Sequence, residues 1–255
     1  MLLEIFASSV IAGLVGGILS LDRTAAFQSM ASRPLVSAPL MGLVLGVPGT
    51  GLAAGVILEL LYMSDRPVGS YMPAHETGLA VVVTAVSAAF LKASPSIVSL
   101  SWAGGVGGVA HFMGTAGPLR VIVPVLFVSI PAAYLFRSAD NFSRRMNEGL
   151  FLNALGSLDD DGTGKGVVRE NLKGLFNFFW PTSAFIFVTV FILSFVARIF
   201  AGFVSTLDTA AFTPVVIAAL ILAISMALRA VRIRGSLIVF SVSGILTAVI
   251  WTFLR

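Results

Sequence analysis

Long apolar runs separated by short polar stretches dominate the chain, at residues 2–21, 35–63, 78–113, 117–136, 176–201, 209–228 and 235–254. A hydrocarbon core about 30 Å thick asks for roughly 20 consecutive apolar residues of helix, because lipid offers no partner to a bare backbone amide. The pattern therefore predicts an all-α fold, a polytopic transmembrane helical bundle of about seven to nine membrane elements.

Two runs depart from a simple span. The 35–63 run is interrupted by Val47-Pro48-Gly49-Thr50-Gly51, which predicts a broken helix or re-entrant hairpin. The 78–113 run holds Lys92, Ser94 and Pro95 and reads as two spans or as a span plus a hairpin. Of 25 glycines, 16 fall in residues 1–117, and the pairs Gly13/Gly17, Gly42/Gly46, Gly51/Gly55 and Gly104/Gly108 have the spacing that lets helices approach closely. Three parts follow: a Gly-rich transmembrane core with broken helices over 1–136, a cytoplasmic interfacial helix and loop over 137–175, and C-terminal transmembrane helices over 176–255. In the middle part Ala139, Phe142, Met146 and Leu150 recur at helical spacing, which predicts an apolar face lying in the membrane interface, and 156–166 reads as a soluble loop.

Composition sharpens this picture. Hydrophobic residues make up 57% and charged residues 11%, which excludes an ordinary soluble enzyme. The net charge of +4 comes from few Lys and Arg on a nearly uncharged chain, so it reports orientation, not a nucleic-acid partner. Arg137, Arg144, Arg145, Lys165, Arg169 and Lys173 place 137–175 in the cytoplasm, and Arg229, Arg232 and Arg234 return to that side two spans later. The C-terminus then lies outside, while the N-terminal side depends on whether 35–63 crosses. The first run lacks a basic leader and carries Glu4, so it reads as a retained helix.

Candidate chemistry gathers in the first third. Glu59 stands among apolar residues, where a carboxylate costs about 2.5–3.5 kcal/mol at mid-membrane unless paired, protonated or facing a polar cavity. It lines a polar site inside the bundle or reaches interfacial water at a helix end. Asp65, Arg66, Ser70, Tyr71, His75 and Glu76 follow between apolar runs, a set that suits sugar hydroxyls as well as a solvated loop. Asp22, Arg23, Gln28 and Arg33 form a second polar group, with Asp22 and Arg23 able to pair at an interface and Arg33 able to snorkel. His111 reads first as a packing residue. With two His and no Cys, neither a metal site nor thiol chemistry is indicated, and no cofactor is expected. Asp159-Asp160-Asp161-Gly162-Thr163-Gly164-Lys165 fits neither the calcium loop nor the phosphate-binding loop, since Gly166 follows the lysine and no terminal Glu is placed.

Leu21-Asp22, Arg33-Pro34-Leu35, Gly42-Leu-Val-Leu-Gly46, Gly51-x-x-x-Gly55-x-x-Leu58-Glu59 and Val68-Gly69 through Pro73 resemble the membrane subunit IIC of the mannose/fructose/sorbose family of bacterial sugar phosphotransferase systems. The likeness is specific over the N-terminal third and loose beyond it. It implies a non-enzymatic, inner-membrane sugar permease that works with a IID-like membrane subunit and a IIB-like phosphoryl donor, in an oligomeric assembly within the lipid bilayer. By motif position Glu59 matches the family's buried Glu and Asp22 the Asp of its Leu-Asp pair, whereas residues 23–32 and Asp65-Arg66 depart from the pattern. The expected substrate is a hexose, held by Glu59, Asp22, Gln28, Asp65, Ser70, His75 and Glu76. Two other functions fit the same residues: an assembly or sensing component that keeps only the fold, and an ion-coupled permease.

Overall fold

A computed structural model describes the backbone of residues 2–26, 28–63, 75–93, 117–161 and 165–206, with isolated positions 218, 221 and 224. All regular structure among these residues is helical: α1 (Leu2–Thr24), α2 (Pro34–Leu45), α3 (Pro48–Tyr62), α4 (Glu76–Ala93), α5 (Gly117–Asp161) and α6 (Lys165–Thr206). Four stretches among the described residues are long and apolar enough to cross a membrane, namely Leu2–Arg23, Glu76–Ala93, Val121–Gly156 and Lys165–Ile199. The chain is thus a multi-pass helical membrane protein. The predicted segments 209–228 and 235–254 and the second half of 78–113 lie outside the described residues.

α4 is the axis of the bundle, packing against α1, α2, α3, α5 and α6. Every residue from Thr77 to Leu91 is buried. Its Ala, Val, Gly, Ser and Thr side chains leave no polar face, as expected of a helix enclosed on all sides. Around it α1 and α6 run antiparallel and very close. A Cβ at Gly13 would lie 2.8 Å from the Ser183 carbonyl oxygen, and one at Gly17 would lie 2.9 Å from Phe179 and Ser183. Phe6 adds edge contacts to Phe187 and Phe191 at centroid separations of 5.6 and 6.5 Å. Nearer the far end of α1, Arg198 donates to Glu4 at 3.3 Å.

The 35–63 run forms two short helices, α2 and α3, folded back on each other. Gly46, at φ +79°, closes α2 in the left-handed region that a side chain resists, and Pro48 starts α3 where its missing N–H costs nothing. The pair is antiparallel: Gly42 meets Val47 and Pro48, Gly51 meets Ala38, and Gly55 meets Pro34. At about 18 and 22 Å, neither helix matches the thickness of a hydrocarbon core. The open end of this hairpin lies beside Glu76 at the start of α4. Its tip, Val44 and Leu45, shares a cavity of about 290 Å³ with Glu4, Ala89 and Lys92 at the other end.

α5 and α6 are longer than any single span, about 67 and 63 Å. Residues 156–161, expected in a loop, continue α5: a Cβ at Gly156 would meet nothing within 4 Å, so an open helical surface is all that glycine requires. Over 137–150, Phe142 and Met146 point away from the bundle, 55% and 39% exposed. The buried stripe instead continues from Ala133 and Phe136 through Asp140 to Ser143, because this stretch still packs against α4 and α6. Past that level α5 and α6 project together as an antiparallel arm, pinned where Asn147 donates to the Gly174 carbonyl at 3.2 Å and accepts from Asn177 at 2.8 Å.

Candidate functional site

Polar side chains converge where α1 ends, α2 and α4 begin and α3 ends. Asp22, in the last turn of α1, is buried, and both its carboxylate oxygens accept from the following turn. Oδ1 accepts the Ser29 N–H at 2.6 Å and the Ser29 hydroxyl at 2.7 Å, and Oδ2 accepts the Ser32 N–H at 3.0 Å. The Ser32 carbonyl in turn accepts the Thr77 hydroxyl at 2.7 Å, tying the α1–α2 connection to α4. Gln28 and Met30 in this connection hold positive φ values of 50° and 66°. Asp22 thus satisfies backbone donors that the turn would otherwise leave bare. Asp22→Asn turns one acceptor oxygen into a donor facing donors, and is expected to lower unfolding stability by about 2–3 kcal/mol. Thermal unfolding of the purified protein in detergent reads that loss, and an unchanged midpoint counts against this role.

Glu59 sits one turn from the end of α3, its side chain 20% exposed, at the open end of the hairpin and not halfway along a span. Its Oε2 accepts the Leu35 N–H at 3.3 Å. Arg33, the residue preceding α2, offers that helix no side-chain cap, so Glu59 supplies an acceptor and a negative charge to an N-terminus from across the hairpin. Arg33 Nη1 lies 3.8 Å from Glu59 Oε1 and 3.7 Å from Glu76 Oε1, linking the hairpin to α4 through one guanidinium. That side chain is 45% exposed, so solvent screens both pairs and the link is weak enough to open.

His75 precedes α4 and is buried against Phe136, ring centroids 5.7 Å apart. Its Nδ1 accepts the Gly78 N–H at 2.9 Å, so the neutral ring carries its proton on Nε2, which lies 3.7 Å from Asp140 Oδ1. Asp140 Oδ2 also receives Arg23 Nη1 at 3.2 Å. Arg23 therefore pairs with α5, and Asp22 with the turn.

Of the residues singled out from sequence, Asp22, Glu59, His75 and Glu76 come together here. Gln28 lies exposed on the turn, its backbone N–H donating to Ala26 at 2.7 Å. Asp65, Ser70, Tyr71 and His111 fall outside the described residues. Missing from the sequence reading were Asp140, Ser29, Ser32 and Thr77, and the bridging place of Arg33. Asp140 continues a helical stripe of buried positions running from Ser129 through Ala133 and Phe136, which only the fold reveals. Three carboxylates, Glu59, Glu76 and Asp140, thus face two guanidiniums, Arg33 and Arg23, with the Asp22 carboxylate held by the turn beside them. Such a set can accept hydrogen bonds from a hydroxylated solute and donate others through arginine. No group of three potential metal ligands occurs among the described residues.

Fold and site together define a multi-pass helical membrane protein with a polar cluster at one end of its bundle. No family model matches the chain. It is 37% identical over 89 residues to the Escherichia coli (strain K12) protein named "Putative N-acetylgalactosamine permease IIC component 2", a match covering 35% of this chain and 60% of that protein's length. A solved structure described as that of a membrane protein shares the fold, with a TM-score of 0.52 at 18% identity over 97% of this chain and 85% of that one.

Proposed function

We propose that the chain is the IIC permease subunit of a mannose-family sugar phosphotransferase system in the bacterial inner membrane, with phosphoryl transfer left to partner subunits. The observation that carries this reading is the 37% identity, over 89 residues, to a protein named as an N-acetylgalactosamine permease IIC component. A polar cluster that combines carboxylate acceptors with a half-exposed arginine supports it, because every sugar hydroxyl taken from water needs a replacement partner. The substrate is a hexose or a hexose derivative such as the N-acetylgalactosamine of the relative's name. The α2–α3 hairpin is re-entrant, the complete bundle has seven to nine membrane elements, and the layout is a core over 1–136, a cytoplasmic part over 137–175 and closing spans over 176–255. The sugar is held by Glu59, Asp22, Gln28, Asp65, Ser70, His75 and Glu76. Opening of the Arg33 link between hairpin and α4 admits it. A IID-like subunit completes the membrane assembly and a IIB-like subunit phosphorylates the sugar.

Membrane vesicles holding this chain with its IID-like and IIB-like partners test the reading. Labelled hexose is expected to accumulate as sugar phosphate only when phosphoenolpyruvate and the soluble phosphoryl carriers are supplied, and to be indifferent to ionophores. Accumulation that ignores phosphoenolpyruvate and collapses with ionophore rejects the reading in favour of an ion-coupled permease.

A further inference from the structure

The arm formed by α5 and α6 carries a pattern that the sugar site does not use. Along α6, Lys165, Arg169 and Lys173 recur every four residues and form a ladder of cations. Beside it Val168, Leu172 and Phe176 recur at the same interval, and each is 60% exposed or slightly more. The two ladders, with Leu150 of α5, line a groove of about 590 Å³ between the helices. Glu170 pairs with Lys173, leaving the groove with more positive than negative charge.

The groove runs toward the apolar length of α6. α6 runs unbroken from Lys165 into its apolar length, and Phe176 and the 52% exposed Trp180 stand where the basic part gives way to the spanning part. Along the axis Lys173 lies about 4.5 Å and Arg169 about 10 Å before Phe176. A headgroup layer is roughly 5–7 Å deep on each side, so Lys173 falls within it and the long side chain of Arg169 reaches back to its outer edge. Cations at headgroup depth beside exposed aliphatic and aromatic rungs leading into the bilayer match both ends of one molecule. A soluble acidic peptide would be matched by the cations, but would leave the membrane-ward continuation of the apolar ladder unexplained.

We infer that this groove binds an anionic phospholipid, its phosphate against Arg169 and Lys173 and its acyl chains along Leu172 and Phe176. Lys165 reinforces the local potential from the outer end. Each basic side chain near such a surface contributes about 1 kcal/mol, or roughly five-fold in affinity.

Trp180 gives the test its reporter, since the chain's other tryptophans, Trp102 and Trp251, can be replaced by phenylalanine. The full chain is reconstituted in phosphatidylcholine bilayers containing a few per cent of brominated phosphatidylglycerol or brominated phosphatidylcholine, and quenching of Trp180 is compared. A preference for phosphatidylglycerol of about five-fold or more is expected. It should fall to near unity in K165Q/R169Q/K173Q and be largely kept in R144Q/R145Q, which removes charge from the same arm outside the groove. Native mass spectrometry of the chain with its natural tryptophans should give the same order of bound phosphatidylglycerol. Equal quenching by the two lipids, or equal loss in both charge variants, would overturn the inference. So would a groove variant that keeps its lipid preference but sheds a co-purifying acidic protein, which assigns the groove to that protein.

Discussion

Glu59→Gln is expected to reduce phosphoenolpyruvate-dependent sugar uptake at least about 100-fold while leaving the protein folded and in the membrane. The amide keeps an oxygen for the Leu35 N–H, so the cap on α2 survives, and Gln has nearly the shape of Glu. The variant loses the charge that faces Arg33 and two strong acceptor sites for hydroxyls. Losing a charged partner of a bound polar group costs roughly 2–5 kcal/mol, and about 2.7 kcal/mol is already 100-fold. Uptake and membrane content are measured in the same vesicles, so loss of transport is separated from loss of protein. Normal uptake with normal content removes Glu59 from the sugar site and leaves it as a helix cap.

The largest structural effect is expected from Gly51→Val. A Cβ at this position would stand 2.4 Å from the Ala38 carbonyl oxygen and 3.0 Å from Pro39, both on α2 backbone. Neither neighbour is a side chain that can swing aside, so α2 and α3 must part along their whole contact. The cost of forcing bulk into such packing is about 1–3 kcal/mol for a few atoms, with separation of the hairpin added to it. Most of the protein is expected to become protease-sensitive and to run aggregated in size-exclusion chromatography in detergent. Gly149→Ala supplies the contrast, since a Cβ there meets nothing within 4 Å and behaviour should be unchanged or slightly improved. Equal behaviour of the two variants dismisses the close approach as a source of stability.

How far the sequence could be read depended on the range of the interaction. Pro34, Gly46 and Pro48 act on their own backbone, so the ends of α2 and α3 were visible in the residue types at 34–48. Glu59 stood out because a carboxylate among aliphatic residues is costly wherever it lies. Its partner did not stand out, because Arg33 is distant in sequence and an arginine near a helix end also suits snorkelling. Asp140 was hidden for a related reason. Charged neighbours at 137, 144 and 145 make the stretch look solvated, whereas only the packing of α5 on α4 and α6 decides which side of that helix is dry. Ala139, Phe142 and Met146 mark an apolar stripe by their spacing, but spacing alone does not say what that stripe meets. The glycine pairs at 13/17 and 51/55 announced close approach, while the identity of the approaching helix, α6 for the first and α2 for the second, emerged from the fold.

The enclosure of α4 bears on how the molecule is made. Among the four stretches of spanning length it is the least hydrophobic, and it holds Thr77, Thr84 and Ser87 away from water. A newly inserted α4 on its own would present those hydroxyls to lipid, where only back-bonds such as that from Thr84 to the Ala80 carbonyl are available. α1, α2 and α3 precede it in synthesis, but α6, which wraps much of its remaining surface, follows only from residue 165. During biogenesis α4 therefore waits half-sheathed while some seventy further residues emerge. Its final seating in the membrane is an assembly event completed by the late arrival of α6.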